Sequence, residues 1–312
     1  ANPPNEFVPS GGSVYFTADL GLWRASPAEG PVRLTAIAAA CPRSLGASTL
    51  FFGTDAPTGA ELWKTDGSLD GEVLLKDIRS GPTGSQPSCG GVVDQTLFFG
   101  AHTGATGPGL WKSDGTPAGT VLVEDIRPGN PDSIAAGSFP NATVGNRFFF
   151  VADDGVSGSE LWTSDGSPEG TALVRDVEPG AGGSSPGDLR EVDGALVFRA
   201  CTTAAGCEIW ASDGTETGTL QLAHVAAGPG GSTPGGFTPL GTQILFAASN
   251  TAADTALWAI PKSAIPDPDG DGLFDATEAS LGTNPLPADS DGDDLADGDE
   301  LHRHHTDPLD PD

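Results

Sequence analysis

Short apolar runs, each bounded by Gly, Pro or Asp, alternate with turn residues over the first 260 residues of the chain. Compact runs of aromatic or aliphatic residues between turn residues are typical of short, buried β-strands. Six such runs recur: Val14–Phe16, Leu50–Phe52, Leu97–Phe99, Phe148–Phe150, Leu196–Phe198 and Ile244–Phe246. The pattern predicts an all-β fold built from many short strands.

A tryptophan follows each of these runs in the same local context, directly after Leu or Ile. The tryptophans recur at a nearly constant interval, and a period of roughly 20–50 residues indicates a propeller or another repeat array. Four of the copies continue into an Asp-Gly pair and a further alternating apolar run, which Gly-Thr precedes in three of them. The tryptophans are Trp23, Trp63, Trp111, Trp162, Trp210 and Trp258.

Each copy therefore predicts four antiparallel strands, with the apolar run on the second strand and the tryptophan on the third. Four strands in about 48 residues, repeated six times, predict a six-bladed β-propeller of four-stranded antiparallel blades. A single blade cannot bury both of its faces, whereas a ring of blades can. The first copy lacks the Asp-Gly pair, and the last ends after Trp258 with no evident fourth strand. An open β-array is the alternative to a closed ring.

The repeat resembles that of a known family. Its consensus, Glu-Leu-Trp-x-x-Asp-Gly-Thr-x-x-Gly-Thr, is similar to the ELWxxDGT repeat of bacterial secreted and cell-surface proteins. Residues 109–129 follow it nearly throughout, 160–180 closely, and 61–81 and 208–228 less well. The resemblance covers residues 1–260 and implies export from a bacterial cell, but it implies little about activity.

The propeller repeats contain no constellation typical of catalysis. Asp-Gly is the preferred pair for a tight hairpin turn, because Gly accepts a positive φ, so the repeated aspartates are expected to be structural. No nucleophile elbow, zinc-protease helix or phosphate-binding Gly-Lys-Ser loop is present in the sequence. We therefore predict no catalytic residue.

Composition and charge limit the class of protein further. The chain carries 43 acidic and 14 basic residues, a net charge of −29, which disfavours nucleic acid and anionic membranes as partners. No apolar run reaches the ~18 residues of a transmembrane helix. The sequence contains no Met and begins with Ala1, so we expect the mature form of an exported protein.

The four cysteines form two plausible pairs. Cys201 and Cys207 flank the hairpin between the second and third strands of the fifth copy, whereas Cys41 and Cys89 fall on corresponding first-strand segments of neighbouring copies. An even number of cysteines in an exported protein favours disulfides over metal thiolates. We therefore predict the disulfides Cys201–Cys207 and Cys41–Cys89.

An acidic segment follows the repeats. Residues 265–312 are rich in Asp and Glu and include a single Lys or Arg side chain, that of Arg303. This shift in charge predicts a domain boundary between a propeller over 1–264 and an acidic tail over 265–312. The tail has few apolar residues, so we expect little regular structure and a core separate from that of the propeller.

Two stretches of this tail fit the twelve-position calcium loop, in which oxygen ligands alternate along a tight turn and a Glu closes the shell. The second loop has Asp294 where Gly is preferred. Ligands predicted for the first loop are Asp267, Asp269, Asp271, Leu273 through its carbonyl, Asp275 and Glu278. Ligands predicted for the second loop are Asp289, Asp291, Asp293, Leu295 through its carbonyl, Asp297 and Glu300.

The first loop begins at Asp267 and the second at Asp289, an interval too short for paired helix–loop–helix units. This spacing, with the linking Gly282–Pro285, resembles the bacterial thrombospondin type 3 repeat over about 266–312. The resemblance implies calcium ions stacked along a chain with little hydrophobic core. Residues 310–312 look like the opening of a third loop, so the tail is expected to be truncated. A transition-metal site at His302–His305 is a weaker alternative.

Together these patterns predict a secreted or cell-surface bacterial protein in which a propeller is displayed on a calcium-stiffened stalk. We expect a binding, adhesion or structural module rather than an enzyme, with a protein or glycan ligand at the cell surface or in the matrix. The alternative is a propeller enzyme, a hydrolase or lyase that acts on extracellular glycans at its central channel.

Overall fold

The computed structural model describes residues 5–129, 132–135, 139–226, 230–251 and 254–311. The chain forms two compact units, Ala1–Phe139 and Pro140–Asp312. The described residues form six antiparallel sheets, five with four strands and one with three. The all-β prediction is therefore confirmed, and within every sheet the strands lie side by side in sequence order.

The first unit holds three four-stranded sheets. They comprise β1 (Asn5–Ser10), β2 (Ser13–Ala18), β3 (Gly21–Ala25) and β4 (Val32–Arg33); β5 (Ala38–Leu45), β6 (Ser48–Asp55), β7 (Gly59–Thr65) and β8 (Glu72–Lys76); and β9 (Val92–Val93), β10 (Thr96–His102), β11 (Pro108–Ser113) and β12 (Val121–Glu124).

The second unit holds three more sheets, the last of which has three strands within the described residues. They comprise β13 (Asn141–Val144), β14 (Arg147–Asp153), β15 (Ser159–Ser164) and β16 (Ala172–Arg175); β17 (Gly187–Val192), β18 (Ala195–Thr202), β19 (Gly206–Ser212) and β20 (Leu220–Ala223); and β21 (Gly235–Leu240), β22 (Gln243–Thr251) and β23 (Asp254–Pro261). After a single 3₁₀ turn (Lys262–Ala264), the acidic tail forms α1 (Asp275–Leu281) and α2 (Asp297–Asp299), and one π-helical turn (Glu300–His304) follows α2.

All six tryptophans lie on the third strand of their sheets, as predicted, and each lies directly opposite a phenylalanine on the second strand. Paired aromatic side chains on neighbouring strands stabilise a sheet, which explains why the two residue types recur together. The pairs are Phe16–Trp23, Phe51–Trp63, Phe99–Trp111, Phe150–Trp162, Phe198–Trp210 and Phe246–Trp258. The closure of the sheets into one ring stays a prediction.

The second strand of each sheet supplies the cores within each unit. In the first unit, Phe52 packs with Phe99 of the following sheet. In the second unit, Phe149 and Phe198 share one cluster, and Val197 and Phe246 share another. Five successive residues of β14 are buried, because its two faces are both covered. Burial on both faces explains why the second strands have continuous apolar runs rather than a strict alternation of apolar and polar residues.

The glutamate that precedes Leu/Ile-Trp has a structural role that the sequence analysis did not identify. Glu61, Glu160 and Glu208 are fully buried, and each accepts hydrogen bonds from the loop that leaves its sheet. Burial raises the pKa of Glu61 and Glu160, although the hydrogen bonds oppose this. The donors include the backbone N–H groups of Ile78, Arg79 and Ser85 for Glu61, those of Glu178 and Ser184 for Glu160, and those of Val225 and Ala226 for Glu208.

The Asp-Gly pair is structural, but it does not form a two-residue hairpin. In the third sheet it opens the longer loop 114–120 between β11 and β12. Asp114 accepts hydrogen bonds from the N–H and the hydroxyl of Thr116, 2.8 and 2.7 Å away, and Gly115 has a φ of 82°. A Cβ on Gly119 would overlap the Asp114 carboxyl group. The repeated Asp-Gly-Ser/Thr-x-x-Gly therefore encodes a capped loop.

Both predicted disulfides are present. Cys201 and Cys207 lie directly opposite each other in the hairpin of β18 and β19, with Cα atoms 3.8 Å apart. Cys41 and Cys89 link the second and third sheets of the first unit, with Cα atoms 5.8 Å apart. No free cysteine remains, so these thiols are not available as metal ligands.

The expectation of a separate core for the tail is wrong. Phe274, in the first predicted calcium loop, is fully buried in the same cluster as Val192, Ile244, Phe246 and Ile265. The tail has too few apolar residues for a core of its own, so its one phenylalanine is buried against the sheets. The domain boundary at 264/265 stays a prediction, but the tail and the last two sheets share apolar packing.

Candidate metal centre

The two acidic loops fold in the same way. Asp267 accepts hydrogen bonds from the N–H groups of residues 270 and 272, at 2.8 and 3.3 Å. Asp289 accepts the equivalent bonds from residues 292 and 294, at 2.7 and 3.1 Å. The first aspartate of each loop therefore holds its own turn in place through side chain-to-backbone bonds three and five residues along the chain.

Each turn requires backbone conformations that favour glycine. Gly270, Gly272 and Gly292 have φ values of 76°, 93° and 84°. Asp294 takes the position of Gly272 in the second loop and has a φ of 78°. The second turn therefore forms despite the substitution, because Asp is among the few L-residues that tolerate the left-handed region.

Within each loop, the carboxylates at the first, third and fifth positions converge. One oxygen each from Asp267, Asp269 and Asp271 lies within 4.8 Å of the others, and the same is true of the equivalent second-loop residues, 289, 291 and 293. Three carboxylate oxygens at such distances can contact one cation of calcium size, whose ligand distances are about 2.3–2.6 Å.

A third group of carboxylates joins the two loops. Asp271 and Glu278 of the first loop lie within 4.8 Å of Asp297, which the sequence analysis assigned to the second loop. Asp297 is fully buried, and its two oxygens accept bonds from the N–H and the hydroxyl of Ser290, at 2.8 and 2.6 Å. A Cβ on the next residue, Gly298, would overlap the Asp271 carbonyl oxygen, so glycine permits this close approach.

The remaining predicted ligands differ in their surroundings. Asp275, the first-loop equivalent of Asp297, is exposed. Leu273 is fully buried, and Leu295 is half-buried; the N–H of each bonds to the aspartate two residues before it. Glu300 is fully buried, and one of its oxygens accepts a bond from the Thr306 hydroxyl at 3.2 Å.

Several buried oxygens of these groups have no hydrogen-bond partner. They are both carboxylate oxygens of Asp269, both of Glu278, and one each of Asp271, Asp291 and Glu300. An unpartnered buried carboxylate is strongly unfavourable unless a cation compensates it. The donor set is entirely oxygen, which suits a hard cation such as Ca²⁺. The residues therefore fit the metal that the sequence patterns predict.

The electrostatics of the centre agree with this fit. Burial raises the pKa of Asp271 to about 7, and the nearby Asp269 carboxylate adds to the effect. Burial also raises the pKa of Glu278 to about 7, again with a contribution from Asp269. A divalent cation among these groups would offset both the burial and the mutual repulsion, and would keep the carboxylates ionised.

The histidines after the second loop contact sheets of the same unit. One ring nitrogen of His302 lies 2.6 Å from the Arg147 guanidinium, and the His302 carbonyl accepts a bond from Asn146 at 2.9 Å. Burial lowers the pKa of His302 to about 3, and Arg147 adds to the effect. His305 lies 3.2 Å from a carboxylate oxygen of Asp165. In the part of the chain that the structure describes, no three-residue group suited to a metal includes a histidine.

Comparison with protein families supports this account of the tail. The family model described as "Bacterial TSP3 repeat" matches residues 267–288 and 289–311. The chain therefore carries two bacterial TSP3 repeats. Their division falls between the two acidic loops, as the spacing of the loops predicts. The ELWxxDGT resemblance of residues 1–260 stays a prediction.

Comparisons over the whole chain found more distant likenesses. Curated proteins gave no match. Among solved structures, a puromycin hydrolase is 15% identical, with a TM-score of 0.47. The match covers 78% of this chain and 42% of the hydrolase chain. A puromycin-hydrolysing peptidase of Mycobacterium tuberculosis is 15% identical, with a TM-score of 0.48. The match covers 78% of this chain and 42% of the peptidase chain.

A putative TolB from Agrobacterium tumefaciens is 11% identical, with a TM-score of 0.44. The match covers 73% of this chain and 82% of the TolB chain. The chain spans less than half of the length of the puromycin hydrolases that it matches. In the described residues, no helix has the length and apolar character to cross a membrane.

Proposed function

We propose that this chain is an extracellular calcium-binding module whose two TSP3 repeats hold calcium ions beside a β-sheet binding domain. The observation that carries the proposal is the set of buried, unpartnered carboxylate oxygens in and between the two acidic loops. Their number and their purely oxygen chemistry favour calcium over zinc or copper, which prefer nitrogen and sulfur ligands.

The proposed first site uses Asp267, Asp269, Asp271, the Leu273 carbonyl and Glu278. Asp297 joins this set because its buried carboxylate lies beside Asp271 and Glu278. Exposure of Asp275 argues against a direct role in binding. The proposed second site uses Asp289, Asp291, Asp293, the Leu295 carbonyl and Glu300. Calcium would supply the positive charge that the crowded carboxylates lack, and would hold both loops against α1 and α2.

The same features support an extracellular location. Extracellular modules bind calcium at about 10⁻⁴–10⁻³ M, a range that matches calcium outside cells but not inside them. The two disulfides are stable in an oxidising compartment. We therefore propose a secreted or surface-displayed protein whose residues 1–260 belong to the ELWxxDGT repeat family and whose residues 1–264 form a six-bladed propeller.

The sheets would act as a binding or adhesion domain for a protein or glycan. The alternative is a propeller enzyme that cleaves extracellular glycans, and a glycan array with product analysis separates the two. Retention of an intact glycan supports binding, whereas release of shortened glycans supports the enzyme. If neither occurs, a protein ligand becomes the remaining candidate for the proposed module.

Calorimetric titration of the full, chelator-treated chain with calcium tests the metal site. We expect at least two sites, and we expect Asp271→Asn or Glu278→Gln to weaken binding at least tenfold. Asp275→Asn is the matched control, because it removes one charge from the same loop at an exposed position. Fewer than two sites, or an equal loss of affinity in the control, would contradict the proposed ligand set.

A further inference from the structure

We propose that calcium binding by the tail stabilises the sheets of the second unit, because the tail docks onto the aspartate-capped loops of two successive sheets. The inference rests on the proposed function, since it requires that the TSP3 repeats bind calcium. It assigns to two of the repeated Asp-Gly aspartates, Asp213 and Asp165, a role beyond capping their own loops.

Asp213 is the principal point of contact. It is almost fully buried, with an exposed fraction of 5%. One of its oxygens accepts bonds from the N–H and hydroxyl of Thr215 in its own loop, at 2.9 and 2.8 Å. The other oxygen accepts bonds from the tail: the Phe274 N–H at 3.1 Å and the Thr277 hydroxyl at 2.6 Å. A single carboxylate therefore caps its loop and also binds the tail.

The tail residues at this contact are tied to the candidate calcium site. Phe274 directly precedes α1, and Thr277 lies within α1, next to the proposed ligand Glu278. Phe274 is also buried in the same apolar cluster as Val192 and Phe246 of the last two sheets. Ordering of Glu278 by a cation would therefore fix the position of α1 and of both residues that contact the sheets.

A second contact is made after the second loop. There, Glu300 begins the helical turn that carries His302. His302 contacts Arg147 and Asn146 in the sheet of β13–β16, which precedes the sheet of Asp213 in the chain. His305 contacts Asp165. Asp165 and Asp213 occupy the same position in successive repeats, and the tail reaches both of them. Docking therefore spans two sheets rather than one.

The same loop position in the first unit provides a contrast. Asp66 and Asp114 make the same bonds to their own loops but are exposed. The burial of Asp213 is therefore not a general property of the repeat. It follows from the presence of α1 over this loop.

The test measures thermal unfolding of the full chain with and without calcium. Tryptophan fluorescence reports the sheets alone, because all six tryptophans lie on strands and residues 265–312 contain none. At calcium concentrations about 100 times Kd, we expect the midpoint of sheet unfolding to rise by about 5–10 °C. In Asp213→Asn the amide nitrogen would face the Phe274 N–H, so we expect at least half of this rise to be lost. Asp114→Asn, the matched control, should retain the full rise.

Several results would overturn the inference. Calorimetric calcium binding without any rise in the sheet midpoint would refute the coupling but not the proposed function, whereas absence of binding would refute both. A full rise in Asp213→Asn, or an equal loss in Asp114→Asn, would also refute the role of Asp213. If Asp213→Asn does not fold, Thr277→Val removes the contact from the tail side and should lose the rise in the same way.

Discussion

Truncation of Glu160 is expected to destabilise the chain more than most single substitutions. The side chain is fully buried, and its oxygens accept bonds from the Glu178 N–H at 3.1 Å, the Ser184 N–H at 2.7 Å and the Ser184 hydroxyl. Glu160→Ala would leave both Ser184 groups buried without an acceptor, because Ser184 is itself fully buried.

The size of the effect follows from these contacts. Each unsatisfied buried group costs about 1–3 kcal/mol, and the cavity adds about 1 kcal/mol. Two such groups are left by Glu160→Ala, so we expect it to lower the free energy of unfolding by about 3–7 kcal/mol. In Glu160→Gln, the amide oxygen can still accept bonds from the backbone N–H groups, and the amide N–H can donate to the Ser184 hydroxyl oxygen. This variant should therefore lose only about 1 kcal/mol of the free energy of unfolding.

Urea unfolding followed by tryptophan fluorescence measures these differences. The exposed Glu169 is the control, and Glu169→Ala should change stability by no more than about 0.5 kcal/mol. A cost for Glu160→Ala below about 1 kcal/mol, or an equal cost for the Gln and Ala variants, would show that the buried carboxylate does not hold the loop.

The pH dependence of Glu160→Gln gives an independent check. Burial raises the pKa of Glu160, so the folded state binds this proton more tightly than the unfolded chain does. The protonated Glu160 therefore stabilises the folded wild-type chain. This stabilisation is fully present below the pKa of Glu160 in the unfolded chain, and it is lost as the pH rises through the pKa of Glu160 in the folded chain. The deficit of Glu160→Gln relative to wild type should shrink over the same range, and a deficit that grows would contradict the sign.

Three further predictions concern other parts of the chain. Gly170→Ala should cost about 1–3 kcal/mol in urea unfolding, because its Cβ would overlap the Asp165 carboxyl group, whereas Gly182→Ala, which meets nothing within 4 Å, should cost almost nothing. Asp294→Ala should make the calcium-loaded tail about 1 kcal/mol less stable than Asp294→Gly does. Both substitutions remove the charge, but only glycine adopts the left-handed backbone conformation of residue 294 without strain. Equal stability of the two variants would argue that this conformation is not maintained. Thiol labelling of the unfolded, unreduced chain should find no free cysteine, and two or four labels would contradict the disulfides.

Much of the fold was determined by local pattern. The Phe and Trp of each repeat form a cross-strand pair because hairpin register depends on the few residues between them, as in Phe198–Trp210. The ligand spacing within each acidic loop is local in the same sense, since Asp267 binds N–H groups only three and five residues away. Cysteine pairing was also accessible, because the repeat period relates Cys41 to Cys89.

What the sequence did not reveal depends on groups that are distant along the chain. Asp297 was assigned to its own loop, yet its carboxylate lies beside Asp271 and Glu278 because α2 approaches the first loop at Gly298. The repeat motif marked Glu160 by recurrence alone, and only the folded loop shows which N–H groups it accepts from.

The same holds for the tail, whose composition suggested a separate stalk. Burial of Phe274 and its bond to Asp213 join residues 61 positions apart. Loop residues such as Asp66 and Asp213 occupy the same position in the Asp-Gly motif, so the motif itself does not distinguish the exposed aspartate from the buried one. Only the packing of α1 against one of these loops decides which aspartate binds the tail, because burial is a property of the surroundings rather than of the motif.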